Sequence, residues 1–212
     1  MVEALYLEYL DALNRHLENY PYLLGWRPCI GDFGLLAPMY AHLGRDPYPA
    51  RLMQQRAPSV YRWVERMNRE DQDAPEWFNA ANDFLADDEI PETLMHVLKI
   101  LAEDFVPETL AAADLINNWL DQHQPEPGAI AVGRLAEALG TADFTVRGET
   151  ITALAQPHRF YLLQRPQDVF TQSPDEKQTE ISLLLERCGM KSLLAAALRR
   201  RIVRSENLEV WQ

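Results

Sequence analysis

Apolar residues recur at steps of three and four along most of this chain, a spacing that predicts a mainly α-helical protein. From Val2 to Asn19, Leu5, Tyr9, Leu10, Leu13 and Leu17 form one stripe, with Glu3, Glu8, Asp11, Arg15 and Glu18 on other faces. Such an amphipathic helix needs a partner surface. A second helix start is predicted at Cys29-Ile30-Gly31-Asp32, where a small residue at the N-cap and a carboxylate three positions on have the capping-box spacing. Leu35, Leu36, Met39, Tyr40 and Leu43 follow at helical spacing. That helix is apolar over much of its circumference and is expected to be central and buried. Gly44 to Pro49 reads as a break, Leu52 and Met53 as part of a short helix, and Ala57 to Asn68 as a longer one with Val60, Trp63, Val64 and Met67 facing inward.

The charged run Arg69 to Pro75 is the best boundary, dividing a helical region of residues 1–70 from an extension of residues 71–212. The extension opens on a weakly periodic apolar patch of Trp77, Phe78, Phe84 and Leu85. A helix then begins near Pro91, with Asp87, Asp88 and Glu89 at its positive end and Leu94, Leu98, Leu101 and Phe105 as its stripe. Pro107 is expected to kink or break it before the period resumes to about Asp121. Gln122 to Gly128 reads as a linker and Ile130 to Leu139 as a short helix closed by Gly140. Phe144 to Leu154 alternates around Gly148 and predicts a small β-hairpin. Pro157 to Phe170 reads as a helix interrupted or bent near Pro166; Ser173 to Glu176 as a capping box opening a helix that Gly189 closes; Leu193 to Arg200 as a last helical piece. Ile202-Val203 and Leu208 to Trp211 suggest a frayed terminal hairpin.

The stretch Tyr22-Leu23-Leu24-Gly25, then Arg27-Pro28, then a cap-x-x-Asp box before an apolar run, resembles the start of the central helix in the C-terminal helical domain of cytosolic glutathione transferases. Cys29 stands where that family has Ser or Thr. Ala57 to Met67 looks like the helix that follows, and the resemblance runs from about Leu5 to Met67. It implies an all-α, glutathione-transferase-like bundle whose helices wall the pocket for a hydrophobic electrophile. The aromatic-rich opening, Tyr6, Tyr9, Tyr20, Tyr22, Trp26 and Tyr40, would belong to that wall or, by spacing alone, to the core. It also implies that the thiol-activating residue and the glutathione site belong to an upstream thioredoxin-like domain. On that reading the chain is an excised piece or a product that has lost its front half, inactive alone, with glutathione a ligand of the full-length protein only. The alternative is a non-catalytic module for protein association or an apolar ligand, and an uncovered apolar face would favour a homodimer.

Charge and chemistry narrow this further. A net charge of −12 over 212 residues argues against nucleic acid as a partner, because phosphate binding needs a basic surface. Two distant cysteines, Cys29 and Cys188, without a signal-peptide pattern, and no apolar run of membrane-spanning length, suggest a soluble cytoplasmic protein with free thiols. Cys29 at a helix start could be an activated nucleophile or a small buried filler of the cap position. Cys29 and Asp32 are therefore assigned as structural caps and no catalytic residue is assigned. His16, His42, His96, His123 and His158 show no metal spacing, and no metal site is expected. Asp87 with Asp88, and Glu103 with Asp104, are adjacent carboxylates that point apart on a helix and read as solvated charge. Arg199-Arg200-Arg201 with Arg204 is a basic knot that could bind an anion, or could serve only as helix-end charge. No Gly-rich phosphate loop and no Gly-x-Ser-x-Gly occurs.

Overall fold

In a computed structural model of the chain, residues 1–69, 77, 83–132 and 138–212 are described. Among them are seven α-helices and five short antiparallel strands, so the chain is mainly helical with small sheets. Two compact units divide it, Met1–Ile100 and Leu101–Gln212. Most of the expected boundary run at Arg69 to Pro75, Phe78 of the apolar patch, and the middle of the helix expected over Ile130 to Leu139 lie outside the described residues.

In the first unit, α1 (Val2–Leu17) buries Tyr9, Leu10, Leu13 and Leu17, the stripe read from its spacing. α3 (Pro47–Arg56) begins with a proline at its first position, so Pro47 opens a helix where a break was expected; Met53 is its buried anchor. α4 (Pro58–Met67) buries Val60, Trp63 and Val64 and packs against α1, α2 and α3. Leu94, Met95, Val97 and Ile100, from the start of α5 (Glu92–His123), complete the buried set.

α2 (Ile30–Pro38) corrects the expectation of a central, buried helix. Of its residues only Asp32 is buried, while Ile30 is 91% and Phe33 57% exposed. It is also shorter than expected. Pro38 has no N–H to return to Gly34, and the backbone continues as a π-helical turn over Met39–Leu43. Gly44 closes that turn, and a Cβ there would lie 2.7 Å from the Met39 carbonyl oxygen.

In the second unit, the later part of α5 supplies Ala112, Ala113, Ile116 and Leu120 to a core shared with Ala131, Ala155, Phe160, Ile202 and Trp211. α5 is continuous through Pro107, contrary to the expected break. Its flanking turns each carry buried side chains, and this packing offsets the roughly 3 kcal/mol that an interior proline costs. α6 (His158–Gln172) likewise passes through Pro166, and α7 (Asp175–Arg187) follows. The expected capping box at Ser173 does not form: its hydroxyl donates back to the Val169 carbonyl of α6 at 2.7 Å.

The predicted hairpin is β2 (Thr141–Val146) with β3 (Glu149–Leu154), registered Phe144 to Ile151 and Val146 to Glu149. A second sheet, in the order β1-β5-β4, joins β1 (Ile130–Val132), β4 (Ile202–Ser205) and β5 (Leu208–Trp211). Residues 130–132 are thus a strand, where a helix start was expected. The terminal hairpin is anchored rather than frayed, because β5 is the middle strand and Trp211 is 1% exposed. The segment expected to be a helix from Leu193 to Arg200 is instead a single 3-10 turn at Lys191–Leu194 followed by irregular backbone.

Candidate functional site

Among the described residues the most fully buried carboxylate is that of Asp32, and three parts of the first unit converge on it. Its Oδ2 accepts from the N–H of Cys29 at 2.9 Å, the return half of the capping box. Its Oδ1 accepts from the N–H of Leu23 at 3.1 Å and from the indole Nε1 of Trp63 at 2.9 Å. One carboxylate therefore joins the connector before α2, the first turn of α2, and α4. Buried charge is tolerable only with such a complete donor set. The spacing announced the first bond; the other two, from residues 9 and 31 positions away, carry no sequence signal.

The connector is shaped to reach Asp32. Tyr22 and Gly25 exchange backbone hydrogen bonds, and Gly25 adopts a φ of +112°, which favours glycine. A Cβ there would meet the backbone nitrogen of Leu85 at 3.0 Å. That close approach lets Leu85 donate to the Leu24 carbonyl at 2.9 Å and Trp26 to that of Asp83 at 3.0 Å.

Cys29 completes the other half of the box, with its sulfur facing the N–H of Asp32. Burial pushes its thiol up from the ordinary range, outweighing the nearby backbone N–H groups of Asp32 and Gly31 that would favour the thiolate. The geometry does not make it an activated nucleophile.

His16 lies behind the connector, fully buried, with Nδ1 2.9 Å from the Thr93 hydroxyl. Burial lowers its pKa, against the raising influence of the Tyr22 and Leu23 carbonyls and the charge of Asp32. Because the folded form disfavours the imidazolium, stability is fully present above the unfolded value of 6.5 and is lost as pH falls below it. The expected result is that the urea midpoint of the first unit drops as pH falls below 6.5, and that His16→Gln flattens this dependence. Equal slopes in the two proteins would refute the assignment.

Several of the remaining candidates are engaged in structural contacts. Arg201 meets Asp168 through both guanidinium nitrogens at 2.9 and 2.6 Å, Arg199 pairs with Asp121, and Arg200 donates to the Pro125 carbonyl. Three of the four arginines of the basic knot are thus committed within their own unit. Glu103 is bonded to Arg147 at 2.6 Å, whereas Asp104, one residue on, is raised by burial and by Glu108, which pairs with Arg159. His123 stacks on Trp119 and bonds to its carbonyl. His158 and Glu209 lie 2.7 Å apart, a pairing that their separation of 51 positions hides in the sequence. Among the described residues no group of His, Cys, Asp or Glu could hold a metal ion, and no helix is long and apolar enough to cross a membrane.

What the first unit offers is therefore a rigid frame and an apolar face. Ile30 and Phe33 project from the first turn of α2, the turn that Asp32 fixes from inside. No protein-family model, no curated protein and no solved structure matches this chain.

Proposed function

We propose that the region of residues 1–70 belongs to the helical, electrophile-binding half of a glutathione-transferase-like protein, with thiol chemistry supplied by an upstream thioredoxin-like domain. The observation that carries this reading is the Asp32 junction. Of the residues that carry the resemblance, Leu23 and Cys29 both bond to the Asp32 carboxylate, and that carboxylate also holds Trp63 of the following helix. The raised Cys29 thiol supports a division of labour in which this half contributes surface and no nucleophile. A cytoplasmic, soluble protein fits the same reading.

Calorimetric titration with glutathione tests it, using this chain alone and the chain joined to a thioredoxin-like domain. Binding only by the joined protein is the expected result. Binding by this chain alone would overturn the division of labour. Absence of binding by both would favour the second reading, a non-catalytic module for protein association or an apolar ligand, possible partners including a second copy. The uncovered Ile30 and Phe33 are the observation on that side.

A further inference from the structure

The terminal sheet has an edge strand whose outward hydrogen-bonding groups are met at one position, Ile202, by a side chain. The two-residue turn Glu206-Asn207, with φ of 47° and 66°, makes Ser205 and Leu208 the bonded pair that closes the β4–β5 hairpin. Alternation then makes Val203 and Val210 the next bonded pair. The N–H and C=O of Ile202 and Arg204 consequently point away from β5. Since β4 lies at the end of the order β1-β5-β4, they point off the sheet.

At Ile202 both groups are met by one residue of α6. Gln164 donates from Nε2 to the Ile202 carbonyl at 2.5 Å and accepts at Oε1 from its N–H at 3.4 Å. A primary amide paired in this way reproduces what a neighbouring strand would offer at that position. The flanking residues of the same helix hold the approach to it. Gln167 donates to the carbonyls of Leu193 and Ala196, and Asp168 takes Arg201.

Of the self-complementary registers open to the unguarded edge, the one centred on Val203 engages both outward residues of each copy, whereas one centred on Arg204 would set two like-charged Arg204 side chains directly opposite each other. With a twofold axis at Val203, Ile202 of one copy would face Arg204 of the other, and the outward groups of each would exchange hydrogen bonds. Every ladder bond of that register involves an Ile202. We infer that Gln164 is an edge guard: its amide occupies the positions through which β4 of a second copy would extend the sheet, and so holds the terminal sheet closed against self-pairing.

The test is Gln164→Met, which keeps the side-chain length and removes both amide groups. Amide exchange at Ile202 should accelerate about tenfold or more in dilute protein. Sedimentation velocity from about 1 to about 100 µM should show association that the parent chain lacks. Adding Arg204→Pro, which deletes an outward N–H that β5 does not use, should return the variant to the parent's state. A folded Gln164→Met protein that sediments like the parent at every concentration overturns the inference. So does association that Arg204→Pro leaves unchanged, since it then does not run through β4. If circular dichroism shows the Met variant unfolded, Gln164→Glu, which keeps the acceptor for the Ile202 N–H and repels its carbonyl, is read by the same measurements with the same outcomes.

Discussion

Asp32→Ala is expected to destabilise the first unit by about 4 kcal/mol, because three N–H donors, two buried and one part-buried, lose their acceptor and each buried donor left orphaned costs roughly 1–3 kcal/mol. The donors are the backbone of Leu23, the backbone of Cys29 and the indole of Trp63. A helix cap alone is worth only about 1 kcal/mol. The excess over that figure measures the connector and α4 bonds. Asp32→Asn should fall between the two, since its one oxygen can still serve Leu23 and Trp63 while its NH2 faces the Cys29 N–H. Urea unfolding followed by circular dichroism checks the series. A loss of about 1 kcal/mol for the Ala variant would reduce Asp32 to a cap and remove the support it gives to the proposed function.

The second large effect is expected at the other end of the chain. Trp211 is the penultimate residue, yet it is 1% exposed, lies in the same buried cluster as Ile116, Phe160 and Ile202, and has its ring 6.3 Å from that of Trp119. Its backbone also works: the N–H donates to the Ala129 carbonyl at 2.9 Å, and its own carbonyl accepts from Gly128 at 2.7 Å. Trp211→Ala should cost the second unit about 4 kcal/mol, the range for emptying a buried aromatic site. Trp211→Phe should recover about half of that by refilling the volume. Thermal unfolding of the three proteins decides it. A midpoint for the Ala variant equal to the parent's would show that the terminal strand is a passenger.

These residues differ in how openly the sequence declares them. The α1 and α4 stripes and the β2–β3 hairpin are legible because each is decided by local periodicity or by a turn, within a dozen or so residues. The Cys29-to-Asp32 spacing is legible for the same reason. The burial of α2 is not, because periodicity identifies an apolar stripe but not whether anything covers it; Ile30 and Phe33 stay open while Asp32 goes inside. Pro107 misleads in a similar way, since a local helix-breaking tendency is overruled by packing on both sides, and α6 is likewise continuous through Pro166. The strand at 130–132 forms only because β5, from the far end of the second unit, pairs with it, Ile130 facing Val210. Of the candidate site, the cap was visible and the Trp63, Leu23 and His16 partnerships were not, because they join residues with no periodic relation.

The clamp that α6 places on the irregular stretch after α7 has a consequence for which positions can change. Gln167 reads the carbonyls of Leu193 and Ala196, and Gln164 reads both backbone groups of Ile202, so much of the path is specified by main-chain atoms that every residue type carries. Ala195 and Ala197, whose side chains are exposed, are free to be almost any residue without moving the chain. Much of the information that fixes this segment is therefore written upstream, in two glutamines of α6 and in Asn117 of α5, which meets the Ala197 carbonyl and the Arg199 N–H.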